Sequence, residues 1–314
     1  MTDSLESGEA GRRLALRLMA AAAVCVALAA TTYLVLVRTR LGQRLDNAAL
    51  IGSQQQSLSS RVHDYYFLER IRAGTFLIVL IAIALYGVWR RRPRAGIAMA
   101  VAACLAVVGT DLAKNHILSR PFLVPSDVIR PVNSFPSGHT ATAIGCALAL
   151  VVLSPPILRG PVAILVGSYS WVVAADVQTA GWHRPSDAIG ASLLAFATIA
   201  VFAAAVAWRR PMGVGRRTGH WAAYPILAVV GIVSAVLTAV NASRGLGILV
   251  KTRDSPVPPT AKVLNDAYLF SINLTVSVVV CLLIGLLLLL GRYDLDAPKP
   301  GRPAELAPTT PSAT

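Results

Sequence analysis

Long apolar runs separated by short polar or basic segments fill most of the chain. Eight of these runs meet or approach the length of about 20 residues that a transmembrane helix needs. They occupy residues 14–37, 73–89, 95–113, 139–153, 161–180, 187–208, 221–241 and 269–291. The run at 139–153 is short because Pro155 and Pro156 end it, yet a helix of this length can still span if its neighbours bury it. The pattern predicts an all-α polytopic membrane protein with about eight transmembrane helices.

The composition agrees with lipid as the surrounding solvent. Of the 314 residues, 55% are hydrophobic and 14% are charged, whereas soluble domains carry about 25% charged residues. The net charge of +14 lies in short clusters between apolar runs, which is typical of membrane-flanking loops and argues against nucleic-acid binding. The four cysteines each lie inside an apolar run and form no CxxC pair, so we interpret them as buried small side chains, not as disulfides or metal ligands.

Basic clusters predict the orientation in the membrane. Arginines crowd the polar segments beside the first, second and sixth runs: Arg12, Arg13, Arg17, Arg90, Arg91, Arg92, Arg94, Arg209, Arg210, Arg216 and Arg217. With eight spans these segments share one side with both termini, and the positive-inside rule places that side in the cytoplasm. The opposing segment 38–72 is also basic, and we interpret part of it as an amphipathic surface segment. The first run is too long for a signal peptide and is expected to stay as a helix.

Polar residues at the end of the third run form a first candidate cluster. Lys114 and Arg120 are followed by Pro121, which disfavours helical geometry at Arg120 and so ends the helix there. Both cations are then expected near the membrane surface. Taken alone, they are better explained as a pair of side chains that anchor the helix end at the interface.

A second cluster opens the fourth run with the sequence Pro136-Ser137-Gly138-His139. Ser137 is a suitable N-cap, and the free N–H groups that follow it form an anion site at the start of the helix. Without other evidence the segment would be only a cap and a turn.

A third cluster, Gly181 to Asp187, opens the sixth run. Pro185 suits the first helical turn, and Asp187 lies one turn beyond His183. The carboxylate can therefore accept a hydrogen bond from His183 and fix its tautomer, as carboxylates do beside catalytic histidines. The alternative is a carboxylate that only complements the helix dipole.

The three clusters gain meaning together. They end the third helix and begin the fourth and the sixth, so alternating topology places all of them on one face of the membrane. Two histidines, a carboxylate, two cations and an anion-binding helix end then converge without metal-ligand spacing. This set of groups fits phosphoryl transfer through a phosphohistidine.

The motifs K-x6-RP, PSGH and H-x3-D, in this order and on these helix ends, resemble the type 2 phosphatidic acid phosphatase superfamily. The resemblance covers about residues 73–208. It implies that His183 attacks phosphorus, that Asp187 holds His183, and that His139 protonates the leaving group and then activates water. It also implies that the phosphate oxygens are bound by a set of cations and donors: Lys114, Arg120, Ser137 and Gly138. No cofactor or metal is expected.

One departure from the superfamily pattern affects phosphate binding. The third motif normally begins Ser-Arg, but this chain has Asp176 and Val177 at those positions. One phosphate-binding cation is therefore missing. Arg184, next to the attacking histidine, and Arg130, in the loop before the second motif, are the candidates to replace it.

The predicted organisation has four parts. Residues 1–72 hold the first helix and a basic extracytoplasmic loop, and residues 73–208 hold the catalytic core. Residues 209–293 add two further transmembrane helices to a core of six. The Pro-, Ala- and Thr-rich tail, 294–314, is expected to be disordered.

The predicted function is hydrolysis of a phosphate or diphosphate on a membrane lipid of polyprenyl or phosphatidyl type. The expected partners are this substrate and membrane lipids, and the expected location is a bacterial plasma membrane with the active site on the extracytoplasmic side. Two alternatives stay open: a lipid phosphotransferase that uses the same phosphohistidine, and a non-catalytic protein that binds phosphorylated lipids.

Overall fold

Helices form nearly all of the chain that the computed structural model describes, namely residues 2–124, 132–208, 213–214, 221, 223–251, 258–291 and 293–294. Eleven α-helices lie in these ranges. They are α1 (Thr2–Thr32), α2 (Arg40–Ser53), α3 (Leu58–Leu68), α4 (Ala73–Trp89), α5 (Pro93–Leu112), α6 (Gly138–Leu153), α7 (Arg159–Thr179), α8 (Pro185–Trp208), α9 (Ala223–Asn241), α10 (Gly247–Lys251) and α11 (Ala261–Leu290). Single π-helical turns extend α1, α5 and α9: Tyr33–Val37, Ala113–Ile117 and Ala242–Leu246.

All eight predicted apolar runs are helical, and the prediction of an all-α polytopic membrane protein is confirmed. By length and composition, six helical segments among the described residues can cross a membrane: Glu9–Val37, Pro93–Ile117, Arg159–Thr179, Pro185–Trp208, Ala223–Lys251 and Ala261–Leu290. Helices α3 and α4 meet at 57° and, counted as one broken span, make seven. The remaining predicted run is helix α6, which is apolar but has only 16 residues.

The short helix α6 lies at the centre of the bundle. It packs against α5, α7 and α8, and 12 of its 16 residues are buried. Small residues such as Ala141, Gly145 and Ala149 allow this close packing. Because protein and not lipid surrounds α6, its backbone can be shorter than a full span without meeting the hydrocarbon directly.

Helix α11 runs antiparallel to α7. At one end the Arg159 Nη1 atom donates to the Gly291 carbonyl over 3.2 Å. At the other end the hydroxyls of Thr179 and Tyr268 are hydrogen bonded at 2.8 Å. The beginning of α11 therefore lies on the same side of the bundle as the end of α7 and the start of α8.

The segment between α1 and α4 differs from the predicted loop. It contains α2 and α3, and α2 packs closely on α11 at Gly52, where an added Cβ would overlap the Leu264 backbone. Gln43, Asp46 and Asn47 of α2 are buried. Helix α2 therefore turns its polar side chains into the protein, where an amphipathic surface segment would expose them.

Two short strands, one after α8 and one after α11, pair with each other. Strand β1 (Gly213–Val214) pairs antiparallel with β2 (Tyr293–Asp294). Asp294, which begins the tail that the sequence predicts to be disordered, belongs to β2; residues 295–314 lie outside the described residues. The arginines at 209–210 and 216–217, used for the predicted orientation, also lie outside them.

Helices α4 and α5 approach each other at a pair of glycines. A Cβ added to Gly96 would lie 2.7 Å from the Gly87 Cα, a distance that real Cβ contacts do not show. The absence of side chains on both residues therefore sets the distance between the two helices.

We expect Gly96→Ala to lower the thermal midpoint of the detergent-purified protein by several degrees, because overpacking a tight contact costs about 1–3 kcal/mol. The matched control is Gly109→Ala in the same helix, where an added Cβ meets nothing within 4 Å. That control should leave the midpoint unchanged or raise it, because alanine favours a helix over glycine. Equal midpoints for the two variants would show that the glycine contact does not set the helix spacing.

Candidate active site

The three polar clusters that the sequence singles out lie together at one end of the bundle. A cavity of about 390 Å³ is lined by Lys114 from the end of α5, Gly138 and His139 from the start of α6, and His183 from the turn before α8. We refer to it as the site cavity. Four of the eight predicted site residues thus share one space, and the other four lie beside it in the protein interior.

His183 is held by the carboxylate one turn ahead of it. Its Nδ1 atom lies 3.3 Å from Asp187 Oδ2, and the Arg184 backbone N–H donates to the same oxygen over 2.9 Å. The His183 backbone N–H donates to the Val177 carbonyl over 3.0 Å. With Nδ1 facing Asp187, the other ring nitrogen, Nε2, is the one free to react.

His139 lines the same cavity beside an aromatic side chain. Its ring centroid is 5.2 Å from that of Trp182, in an edge-to-face arrangement. Trp182 in turn packs edge-to-face on Tyr65 of α3 at 5.1 Å. Helix α3 therefore helps to fix the wall from which His139 faces the cavity.

The start of α6 is fixed to the start of α8. The Ser137 hydroxyl caps α6 by accepting from the Thr140 N–H over 3.4 Å, and its backbone N–H donates to the Asp187 carbonyl over 3.0 Å. The Phe135 ring packs directly on Gly190, where an added Cβ would lie 2.5 Å from the ring. Ser137 itself is fully buried, so its hydroxyl acts as the cap of the helix in this structure.

Lys114 is held at the end of α5 by its surroundings. Its Nζ atom lies 3.5 Å from Asp111 Oδ1, and the Asn133 side-chain amide donates to the Lys114 carbonyl over 2.8 Å. The lysine side chain is about a quarter exposed, at 24%, which leaves the ammonium accessible from the site cavity.

Arg120 belongs to a buried network of charges. Its Nη2 atom donates to Asp46 Oδ2 over 3.0 Å, to the Ser186 hydroxyl over 3.0 Å and to Asp187 Oδ1 over 3.3 Å. The side chain is only 4% exposed. Its Nε and Nη1 atoms are buried and have no hydrogen-bond partner among the described residues.

Arg184 points to α2, and its side chain does not line the site cavity. Its Nε atom donates to Asn47 Oδ1 over 2.9 Å and its Nη1 atom to the Ser134 hydroxyl over 3.0 Å. Burial lowers the pKa of Arg184 from its ordinary value, and the positive charge of Arg120 lowers it further. In this arrangement the guanidinium ties α2 and the loop before α6 to the start of α8. Arg130, the other candidate replacement, lies outside the described residues.

The position of the missing arginine is occupied by an apolar contact. Val177 is fully buried and packs with Leu68, Ala143 and Ala188. A different cation reaches the site cavity: Arg72, the residue before α4, is among its lining residues. Its side chain is 74% exposed, and Nη2 lies 3.6 Å from Glu69 Oε2. The sequence could have indicated Arg72 through its position just before the second apolar run, on the same face of the membrane as the motifs.

Two buried residues of α2 were also missed by the sequence motifs. Asp46 contacts Arg120 and Ser186, and Asn47 contacts Arg184. The signal for Asp46 was a carboxylate within a segment that is otherwise basic. Nothing in that segment indicates which residues it meets, because its partners lie 74 and 140 residues away.

The described residues thus form a helical membrane bundle with two histidines, a lysine and a helix start around one cavity at its end. A family model agrees with the resemblance that the motifs indicate: the PAP2 superfamily model matches residues 94–211 of the chain. The match implies phosphatase-type hydrolysis of lipid phosphates in general. Searches of curated proteins and of solved structures give no significant match.

We expect Arg184→Ala to lower the thermal midpoint, because it leaves the buried Asn47 and the half-buried Ser134 without their partner and removes one positive charge from a buried cluster. Each lost buried hydrogen-bond partner costs about 1–3 kcal/mol. The control is Arg40→Ala, which removes an exposed arginine at the start of α2. An unchanged midpoint with a raised KM for the lipid substrate would instead place Arg184 in phosphate binding.

Proposed function

We propose that this protein hydrolyses a phosphate or diphosphate ester of a membrane lipid through a phosphohistidine on His183. One observation carries the proposal: the His183–Asp187 pair, His139 and Lys114 meet at one cavity at the ends of membrane helices. The superfamily match supports the general reaction. The attacking residue, the intermediate and the substrate are our inference.

In the first step the Nε2 atom of His183 attacks phosphorus. An N–P bond forms while the bond between phosphorus and the leaving oxygen breaks. Asp187, at 3.3 Å from Nδ1, holds the imidazole and stabilises the positive charge that develops on it. His139, which lines the same cavity, gives a proton to the leaving oxygen.

In the second step His139 takes a proton from a water molecule, which attacks the phosphohistidine. The new P–O bond forms as the N–P bond breaks, and inorganic phosphate leaves while His183 returns to its starting state. If a lipid or sugar hydroxyl takes the place of water, the same site performs phosphotransfer. Release of free phosphate distinguishes the two reactions.

Fixed positive groups stabilise the charge on the transferring phosphoryl group. Lys114 and the Gly138 N–H at the start of α6 line the cavity. Arg120 offers two donors that have no other partner among the described residues. Arg72 provides an additional cation on the cavity wall, where Val177 leaves none.

The surroundings of the site cavity favour a lipid substrate. A neighbouring pocket of about 150 Å³ shares Ile71, Phe76 and Thr142 with it and continues between α4, α6 and α7 past Val79 and Tyr169. A phosphate in the cavity would therefore leave the first carbons of its chain in an apolar environment. The arginine clusters beside the first, second and sixth apolar runs support a cytoplasmic location of both ends and an extracytoplasmic active site, where a polyprenyl diphosphate would present its headgroup.

The proposal is tested by phosphate release from phosphatidic acid, phosphatidylglycerophosphate and polyprenyl mono- and diphosphates. We expect the detergent-purified protein to release phosphate from at least one of them, and His183→Ala to abolish release. The control is His116→Ala, which removes an exposed imidazole on the same face. Equal release by the wild type and His183→Ala would rule out His183 as nucleophile. Transfer of phosphate to an added alcohol without free phosphate would favour the phosphotransferase.

Arg72 has its own test. We expect Arg72→Ala to raise the KM for the lipid phosphate about tenfold, because a charge-assisted hydrogen bond is worth roughly 1.5–3 kcal/mol and this side chain is largely exposed to solvent. Arg40→Ala serves as the control for loss of one positive charge on this face. If the two variants shift KM equally, Arg72 acts only through the general surface potential.

A further inference from the structure

Helix α2, which precedes the segment matched by the superfamily model, supplies a carboxylate to the site. Asp46 is 2% exposed. Its Oδ1 atom accepts from the Ser186 backbone N–H over 3.0 Å, and Oδ2 accepts from the Ser186 hydroxyl over 2.6 Å and from Arg120 Nη2 over 3.0 Å. Both oxygens of Asp46 therefore accept from Ser186 or Arg120, which also contact Asp187, the partner of His183.

Asp46 and Asp187 share the same partners. Arg120 Nη2 lies 3.0 Å from Asp46 and 3.3 Å from Asp187, and the Ser186 hydroxyl lies within 3.3 Å of both carboxylates. Asp187 thus divides its contacts: Oδ1 faces Arg120 and Ser186, while Oδ2 faces His183 and the Arg184 N–H.

This division depends on the charge balance around Arg120. With Asp46 present, the guanidinium lies between two carboxylates and contacts both through Nη2 alone. Without the charge of Asp46, Arg120 would have a single carboxylate partner, and a two-pronged pair with Asp187 would be its favoured geometry. Asp187 would then be drawn away from His183, and Nε and Nη1 of Arg120 would turn away from their present directions.

Burial raises the pKa of the Asp46 carboxyl; the positive charge of Arg120 opposes this rise, and the negative charge of Asp187 adds to it. A buried carboxylate is costly unless it is paired. The tight contacts with Arg120 and Ser186 are the compensation that the geometry provides.

We propose that Asp46 is a positioning residue of the phosphatase site: by holding Arg120 and Ser186 it keeps Asp187 available to His183. The proposal rests on the function proposed above for His183. It makes α2 part of the catalytic unit, although α2 lies outside residues 94–211.

The test compares Asp46→Asn with a neighbouring change in the same helix. Asparagine keeps the size of the side chain and one acceptor but removes the charge. The matched control is Gln43→Ala: Gln43 is equally buried and its amide donates to the carbonyls of Val37 and Pro121, so it ties α2 to the same segment without touching a charged group.

In steady-state assays on the full-length protein we expect Asp46→Asn to lower kcat about 10–100-fold and to change KM by less than about threefold, because orientation of a catalytic pair affects the reacting state more than binding. Gln43→Ala should lower the thermal midpoint while kcat stays within about twofold. If kcat falls equally in both variants, or in neither, Asp46 serves only to attach α2.

A second readout does not need turnover. The pH dependence of His183 modification by diethyl pyrocarbonate, followed by peptide mass spectrometry, reports the protonation of the imidazole. We expect the pH of half-maximal modification to fall by about half a unit or more in Asp46→Asn, because a nearby negative charge favours imidazolium. Other charged or titratable groups facing this region are Arg72, Arg120, Arg184, Asp187, Lys114 and His139, and none of them is itself replaced in this variant. An unshifted profile would overturn the proposal.

Phosphate release tests the proposed function, and the His183 modification profile tests the role of Asp46 separately. If the wild type releases no phosphate from any lipid, the proposed function fails, while the modification profile still decides whether Asp46 acts on His183. If Asp46→Asn does not fold, the cycle is made in an Arg120→Gln background, where the charge of Asp46 has no partner to hold. In that background Asp46→Asn should shift the pH of half-maximal His183 modification by less than about half a unit relative to Arg120→Gln alone, and a shift of half a unit or more would show that Asp46 does not act through Arg120.

Discussion

The structure depends on a buried carboxylate, Asp187, that must be paired on both sides. One oxygen faces His183 and the other faces Arg120. An ionised carboxylate without partners would be prohibitively costly in this interior, and removing one partner of a buried pair leaves the other uncompensated. The end of α5, the start of α8 and the turn at His183 are therefore held in a fixed relation by one side chain, and phosphoryl-transfer chemistry would use the same relation.

The need for compensation extends to helices outside the superfamily segment. Asp46 of α2 pairs with Arg120, and Asn47 accepts from Arg184. Helix α2 can reach these residues because Gly52 lets it pack against the α11 backbone at Leu264. Helix α11 is in turn tied to α7 through Thr179 and Tyr268. The last long helix thus supports the site through α2, without a side chain of its own in the site cavity.

The departure from the superfamily motif has a local structural explanation. Val177 fills an apolar contact with Leu68 of α3, where an arginine would require a charged partner. The turn between α3 and α4 that follows Leu68 brings Arg72 to the cavity wall. The same short helix, α3, therefore packs on Val177, where the superfamily has an arginine, and precedes the turn that carries Arg72. Through Tyr65 it also holds Trp182 beside His139.

The sequence by itself determined the helical membrane fold and the three motif clusters, because hydrophobic length, proline positions and four-residue spacing are local properties. His183 and Asp187 are one helical turn apart, so their pairing could be inferred from the chain alone. The roles of Asp46, Asn47 and Arg72 were decided only by the tertiary structure. Their partners are remote in sequence. The sequence predicts a loop for the basic segment that holds Asp46, whereas in the structure this segment forms α2 and packs on α11. The direction of the Arg184 side chain was decided in the same way. Its position next to His183 suggested phosphate binding, but its donors meet acceptors on α2 and in the segment before α6.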